Sequence, residues 1–428
     1  MSRAVDWGGA RMGLRLLVII LVVGAAAVPL AAGTWQGAIA PIDPPAPDRF
    51  DGAALQRGLQ LAAIGNCMSC HTAAGGAPFA GGRPVATPYG TIYSSNITPD
   101  AQTGIGQWSE PAFRRAMRAG VGRTGQQLYP AFPYDHFTLV SDADDALLYA
   151  YLMTRRAVRS TPPANQLRFP FSVRPLLALW KLVFFKEGAY RADPTHDGQW
   201  NRGAYLANGL GHCGACHTPR NALGAEKRSA RFGGGRAQGW HGYAIDSASP
   251  ARVRWDRTAL RAYFRDGWQT LHGDAHGPMA EVVENLSAAA AADLDAIAIY
   301  IAWTMGKRDR ADSVQQASVA TQSSGAVIFA SACQGCHDGS RPLPFGGVRL
   351  ALSTAVMDDE PTNLINVVLE GLYPRSGAAG AIMPGFASVL SDEQLRSLLS
   401  YVRLRYGQGS PWKDLEASVQ SAKAQRHD

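Results

Sequence analysis

The chain has 428 residues, 46% of them hydrophobic and 18% charged, with a formal net charge of +7. That length calls for more than one core, and that composition excludes a disordered chain. Lys and Arg are scattered, with no basic run longer than Arg155-Arg156 or Lys307-Arg308, so no nucleic acid partner is expected; anionic headgroups or an acidic protein fit better.

Residues 1–35 read as an N-terminal membrane anchor or signal segment. Arg3, Arg11 and Arg15 lead into the apolar run Leu14 to Ala32, which is about as long as a bilayer core requires. The run is longer than most signal cores, so an uncleaved transmembrane helix in the cytoplasmic (inner) membrane is expected. Positive charge on its near side places the rest of the chain on the periplasmic side. A cleaved signal peptide is the alternative, and small residues such as Ala25 and Ala27 would permit it.

Three units with one internal order follow, at 48–160, 196–306 and 323–408. Each opens with a short helical segment containing Gly: Arg57 to Ala62, Arg202 to Ala207, and Ser324 to Phe329. A Cys-x-x-Cys-His motif comes next, then a long Gly/Pro-rich loop. A closing helix is predicted near Asp142 to Arg156, Ser287 to Trp303, and Ser391 to Arg405. Ser391 and Gln394 ahead of Leu395, Leu398 and Leu399 predict a capped start, and Ser141 and Ser287 occupy similar places. Between the first two units, 161–195 carries Leu176, Trp180 and Val183 among Arg174, Lys181 and Lys186. This reads either as a helix buried between domains or as an amphipathic helix lying on a membrane. Residues 307–322 are expected to be a flexible linker and 409–428 a polar tail.

All six cysteines fall in the three motifs: Cys67 and Cys70 before His71, Cys213 and Cys216 before His217, and Cys333 and Cys336 before His337. None remains for a disulfide, and zinc would need further ligands in matching pairs. Cys-x-x-Cys-His is the attachment signature of c-type haem. On a helix, positions i, i+3 and i+4 share a face, so two thiols can form thioethers with the porphyrin while the adjacent imidazole takes the iron. The expectation is therefore three covalently bound c-type haems in an all-α chain: three tandem cytochrome c domains preceded by an N-terminal transmembrane helix.

A second axial ligand, commonly Met, should come from the loop ahead of each closing helix. Met279 stands there in the second unit and Met383 in the third, both beside Pro. In the first unit the loop has Phe132 where Met would be expected, with His136 just beyond. His136 is the candidate ligand; Met117, Met153 or a five-coordinate iron are the alternatives. The remaining histidines, His212, His241, His272 and His276, are expected to be surface or loop residues. The Gly233-Gly234-Gly235 run lacks the spacing of a dinucleotide site.

Long segments around these motifs are more specific than the haem signature. They include Gly75 to Gly82, Gly90 to Asp100, Trp200 to Leu206 and Gly209 to Arg220. In them the chain resembles the triheme cytochrome c subunits of bacterial membrane-bound dehydrogenases, over nearly its whole length after residue 35. The resemblance implies a catalytic dehydrogenase partner and passage of electrons to membrane ubiquinone or a terminal oxidase. The partner in that family is a PQQ alcohol dehydrogenase, a flavin sugar dehydrogenase, or a molybdenum hydroxylase with a 2Fe-2S subunit. The alcohol dehydrogenase cytochromes carry Met where this chain has Phe132, and Pro130 to Phe137 looks more like the subunits of molybdenum-type aldehyde or N-heterocycle dehydrogenases. No substrate-oxidising site of its own is expected. The competing readings are a cytochrome of a PQQ alcohol dehydrogenase, a free-standing quinol-to-oxidase shuttle, and a multihaem peroxidase.

Overall fold

The computed structural model describes residues 36–306, 323–337, 348–373, 382–407 and 411–424. The first unit contains α1 (Gly52–Ile64), α2 (Cys67–Cys70), strands β1 (Pro84–Thr87) and β2 (Gly90–Tyr93), then α3 (Glu110–Ala119), α4 (Tyr134–Phe137) and α5 (Asp142–Met153). Strand β3 (Gln166–Leu167) and α6 (Leu176–Phe184) follow. The second unit comprises α7 (Gly198–Asn208), α8 (Gly214–His217), β4 (Gly235–Ala237), β5 (Trp240–Gly242), α9 (Arg257–Asp266), β6 (Trp268–Gln269), β7 (Gly273–Asp274), α10 (Pro278–Leu286) and α11 (Ala291–Thr304). The third holds α12 (Ser324–Ala332), α13 (Gln334–His337), α14 (Thr354–Met357), α15 (Thr362–Glu370), α16 (Asp392–Tyr406) and α17 (Leu415–Ala424).

Two parts of the expected fold class need correction. The chain is not all-α: β1-β2-β3, β4-β5 and β6-β7 form three small antiparallel sheets. They occupy the Gly/Pro-rich loops, where Gly90 turns the first hairpin at φ 123° and lets the Gln166 carbonyl of β3 approach closely. Nor is a transmembrane helix supported, since no helix among the described residues is long and apolar enough to cross a membrane. Leu14 to Ala32 and the linker 307–322 lie outside the described residues.

One crossing recurs in all three units. A methyl group on Gly58 of α1 would strike the Leu147 carbonyl and Tyr151 of α5. Gly203 of α7 meets Ala296 and Tyr300 of α11 in the same way, and Gly325 of α12 meets Ser397 and Tyr401 of α16. Each leading helix thus lies directly on its closing helix, and the missing Cβ permits the contact. Ser141 caps α5, and Ser391 with Gln394 forms a reciprocal capping box on α16. Ser287 does not cap: it ends α10, and α11 begins at Ala291 without a side-chain cap.

The first two units share one apolar core, in which Leu61 and Ile64 join Leu148, Leu206, Leu210 and Ile297. The third has a separate core around Ile365, Leu369, Leu395 and Leu399. Helix α6 is not buried between domains: only Ala178 and Lys181 are buried, while Leu176, Leu182 and Val183 are exposed.

Candidate haem sites and the joints between them

Each motif folds into one helical turn closed by the same bond, from the His71, His217 and His337 amides to the carbonyls of Cys67, Cys213 and Cys333, at 3.0, 3.1 and 3.0 Å. His71 Nδ1 lies 2.7 Å from the Ser95 carbonyl and His217 Nδ1 2.6 Å from that of Tyr243. A carbonyl there takes the Nδ1–H and leaves the Nε2 lone pair for a metal. His337 is aimed at the Val348 backbone but falls short of full hydrogen-bond geometry. Burial lowers the pKa of all three rings, favouring the neutral imidazole that ligates iron. The same burial pushes the thiols of Cys67 and Cys213 up to about 12, and those of Cys216 and Cys333 to about 11. Buried thiolates would be costly here, whereas an uncharged thioether is not.

A cavity of about 590 Å³ runs between the second and third units. Its lining includes Cys213, Cys216, His217 and Met279 of the second unit and Cys333, Cys336, His337 and Met383 of the third. Met279 sits in the first turn of α10, after Gly277, whose positive φ leaves no room for a Cβ against Trp240. Met383 is held by paired backbone bonds to Leu372, at 2.8 and 2.9 Å. The structure therefore brings both methionines to the cavity that the second and third motifs line. Thiol pairs, neutral imidazoles, thioether sulfurs and apolar walls fit haem.

The first unit differs. Phe132 packs edge-on against Phe137, 5.2 Å between ring centres. Met117 and Met153 are buried in the shared core. His136 is only 4% exposed and both its ring nitrogens are engaged, Nδ1 with the Asn208 carbonyl at 2.8 Å and Nε2 with Glu226 at 2.8 Å. Burial alone would lower its pKa, but the Glu226 bond and the charges of Asp135 and Glu226 outweigh it and raise it above the ordinary value. Glu226 moves the opposite way: burial would raise it, and His136, Arg220 and Arg231 bring it below normal. Iron ligation by Nε2 would require breaking this buried pair. The ring instead packs over Gly214 of the second motif, so His136 joins the first two units.

Other joining residues carry no signal in the sequence. Arg83 reaches the Ser69 carbonyl at the first motif and forks onto Glu281, two residues past Met279, at 2.7 and 2.8 Å. Asn285 of α10 bonds Ser69 Oγ at 2.7 Å and also reaches Asn66. Between the second and third units, His241 Nδ1 meets Asp358 at 2.6 Å and Arg236 meets Glu360 at 2.5 Å. Asn363 brackets the His241 backbone in both directions, at 2.9 and 2.8 Å. Of the histidines expected in surface or loop positions, His212, His272 and His276 lie in loops and His241 on β5, and all four are half-buried. Desolvation takes His212 and His272 down to about 4, while Asp358 raises His241 despite its burial.

Half-buried histidines on three Cys-x-x-Cys-His turns, two of them lining an apolar cavity together with Met279 and Met383, define a c-type cytochrome. A family model described as "Cytochrome C oxidase, cbb3-type, subunit III" matches residues 320–402. The chain is 44% identical over 94% of its length to a nicotinate dehydrogenase subunit of Pseudomonas putida, and the match spans only 35% of that protein. It is 37% identical to the gluconate 2-dehydrogenase cytochrome c subunit of Pantoea cypripedii, covering 85% of this chain and 88% of the relative. To the alcohol dehydrogenase (quinone) cytochrome c subunit of Gluconobacter oxydans it is 34% identical, covering 84% and 80%. The chain belongs to the family of cytochrome c electron-transfer subunits of dehydrogenases.

Proposed function

We propose that this chain carries three c-type haems and is the electron outlet of a dehydrogenase at the periplasmic face of the cytoplasmic membrane, delivering electrons to ubiquinone or a terminal oxidase. The observation that carries this reading is the threefold recurrence of one motif turn, each with a half-buried histidine closing the same backbone bond. Bound haem supplies reversible one-electron chemistry. His71, His217 and His337 present neutral Nε2 atoms to the iron, and the carbonyl partners of His71 and His217 hold those rings in one tautomer. Met279 and Met383 would add thioether ligands that favour higher potentials, in a cavity whose lining is mainly apolar. His136 is a charge partner of Glu226 in this reading, not a ligand.

The proposed partner is a molybdenum dehydrogenase of aldehydes or N-heterocycles, with a 2Fe-2S subunit. Two observations support it over a PQQ partner: 44% identity to a component of nicotinate dehydrogenase against 34% to one of an alcohol dehydrogenase, and Phe132 in the first loop. Gentle detergent purification from native membranes, with assays for molybdenum and PQQ in the co-purifying subunits, tests this. Molybdenum with an iron–sulfur subunit is expected. PQQ with a large catalytic subunit would overturn the choice of partner, and purification without any dehydrogenase would favour a free-standing shuttle.

A further inference from the structure

Helix α6 is turned inside out. Lys181 is buried, and its ammonium donates to the Ala119 and Gly120 carbonyls and to Gln127 Oε1, at 2.7, 2.6 and 2.6 Å. It therefore caps the C-terminal end of α3, where a cation is favoured. Ala178, three residues earlier on the same face, is the other buried residue of the helix. The opposite face carries Leu176 and Val183, seven residues apart. Val183 is 73% exposed, Leu182 57%, and Phe169 in the preceding loop 82%. An exposed stretch of this kind marks an interaction site.

The polar groups beneath the stretch are already satisfied. The Trp180 indole donates to the Leu223 carbonyl at 2.9 Å, and the Phe184 carbonyl near the helix end accepts from Arg228 at 2.9 Å. A protein partner typically contributes about one hydrogen bond per 100–200 Å² of interface, and this face offers few groups to meet them. Its flanks are basic: Arg168, Lys186, Lys227 and Arg228 are exposed, with Arg228 bonded to the helix end, beside the exposed acid Glu187. Outward Leu, Val and Phe flanked by Lys and Arg is the composition of a segment lying in the headgroup layer of an anionic bilayer.

We propose that the Phe169 to Val183 stretch seats the protein on an anionic lipid surface, with the α6 apolar face at the boundary between headgroups and acyl chains. This deepens the membrane-side reading above by naming the surface that faces the lipid, and it is independent of how many haems are bound. It also fixes an orientation: the buried Lys181 holds the first unit directly behind the lipid-facing helix.

The test uses the full haem-loaded chain with a nitroxide label on Val183→Cys or, as control, on Glu393→Cys, an exposed position of the third unit. Vesicles of phosphatidylglycerol and phosphatidylcholine are added, and the label's accessibility to oxygen and to a water-soluble nickel chelate is measured. The ratio of oxygen to nickel accessibility should rise about threefold or more at position 183 and stay unchanged at 393, as for a side chain entering the headgroup layer. In a companion experiment without the label, Leu182→Glu with Val183→Glu should weaken binding to anionic vesicles about tenfold while the haem spectrum is retained. A label at 183 that stays in water while the chain sits on vesicles would overturn the proposal. So would protection of that label only on adding the dehydrogenase partner. Electron uptake, followed by the haem spectrum, reports separately on the function proposed above.

Discussion

The two joints of this molecule are built from different materials. Between the first and second units the core is continuous, with Ile64 and Leu210 in one cluster and the His136–Glu226 pair sealed beside it. Between the second and third units the cores are separate, and the contact is a polar fringe around the cavity, with His241, Asp358, Arg236, Glu360 and Asn363. A continuous core fixes the distance between two redox sites mainly through packing, which salt and pH disturb less than they disturb charge pairs. The Arg83–Glu281 and His136–Glu226 pairs also cross this joint. A polar joint sets that distance through charges that protons and ions can weaken. The first pair of sites should therefore be rigidly coupled, and the second pair should respond to conditions.

The largest expected effect comes from opening the continuous core. Leu210 is fully buried and packs against Gly65, just ahead of the first motif. Leu210→Ala should cost about 4 kcal/mol and lower the melting of the first two units together. His136→Leu comes next, at about 3 kcal/mol, because it removes the 2.8 Å partner of Glu226 in a buried site and leaves the longer 3.6 Å contact to Arg220. Its visible spectrum should be unchanged; a new high-spin signal would instead make His136 an iron ligand. His241→Ala should cost about 2 kcal/mol, the worth of a hydrogen bond to a charged group. Hydrogen exchange should locate that loss at the third unit, leaving the first two unaffected.

The smallest effect is that of pH, and its sign follows from the shifts. His136 and His241 both stand above their ordinary values, so each contributes fully below the unfolded histidine pKa. That contribution is lost as pH rises through the raised value. Glu226 is depressed, so its share is present above the unfolded carboxylate pKa and lost as pH falls through the lower one. Melting followed against pH should fall off on both sides of this window. Added salt should weaken the second joint more than the first, because Arg236 is largely exposed whereas Arg83 and Glu281 are partly buried.

How much of this is legible in the sequence varies with the range of the interaction. Local signals read well: Ser391 and Gln394 form their capping box, and Ser141 caps its helix. Ser287 misleads because a short helix, α10, ends where a cap is expected to begin one. The hairpins escape detection because strands of two to four residues are too short to show alternation. The pattern of helix α6 fits either a buried apolar side or a membrane surface, and only the carbonyls of a distant segment reveal why Lys181 turns inward. The joints are out of reach for the same reason. His136 and Glu226 are 90 residues apart and His241 and Asp358 are 117 apart, so nothing in either local pattern announces the partner. The local setting of His136 is that of a candidate ligand, and its second-unit neighbours become visible only in the fold.

The most direct test of the account is the haem content of the purified mature chain, from its intact mass and a count of thiols open to alkylation after denaturation. The account predicts a mass increment of three haems and no reactive thiol among the six cysteines. One or two haems, with a matching pair of alkylatable cysteines, would contradict it and would show which of the three turns does not hold the cofactor.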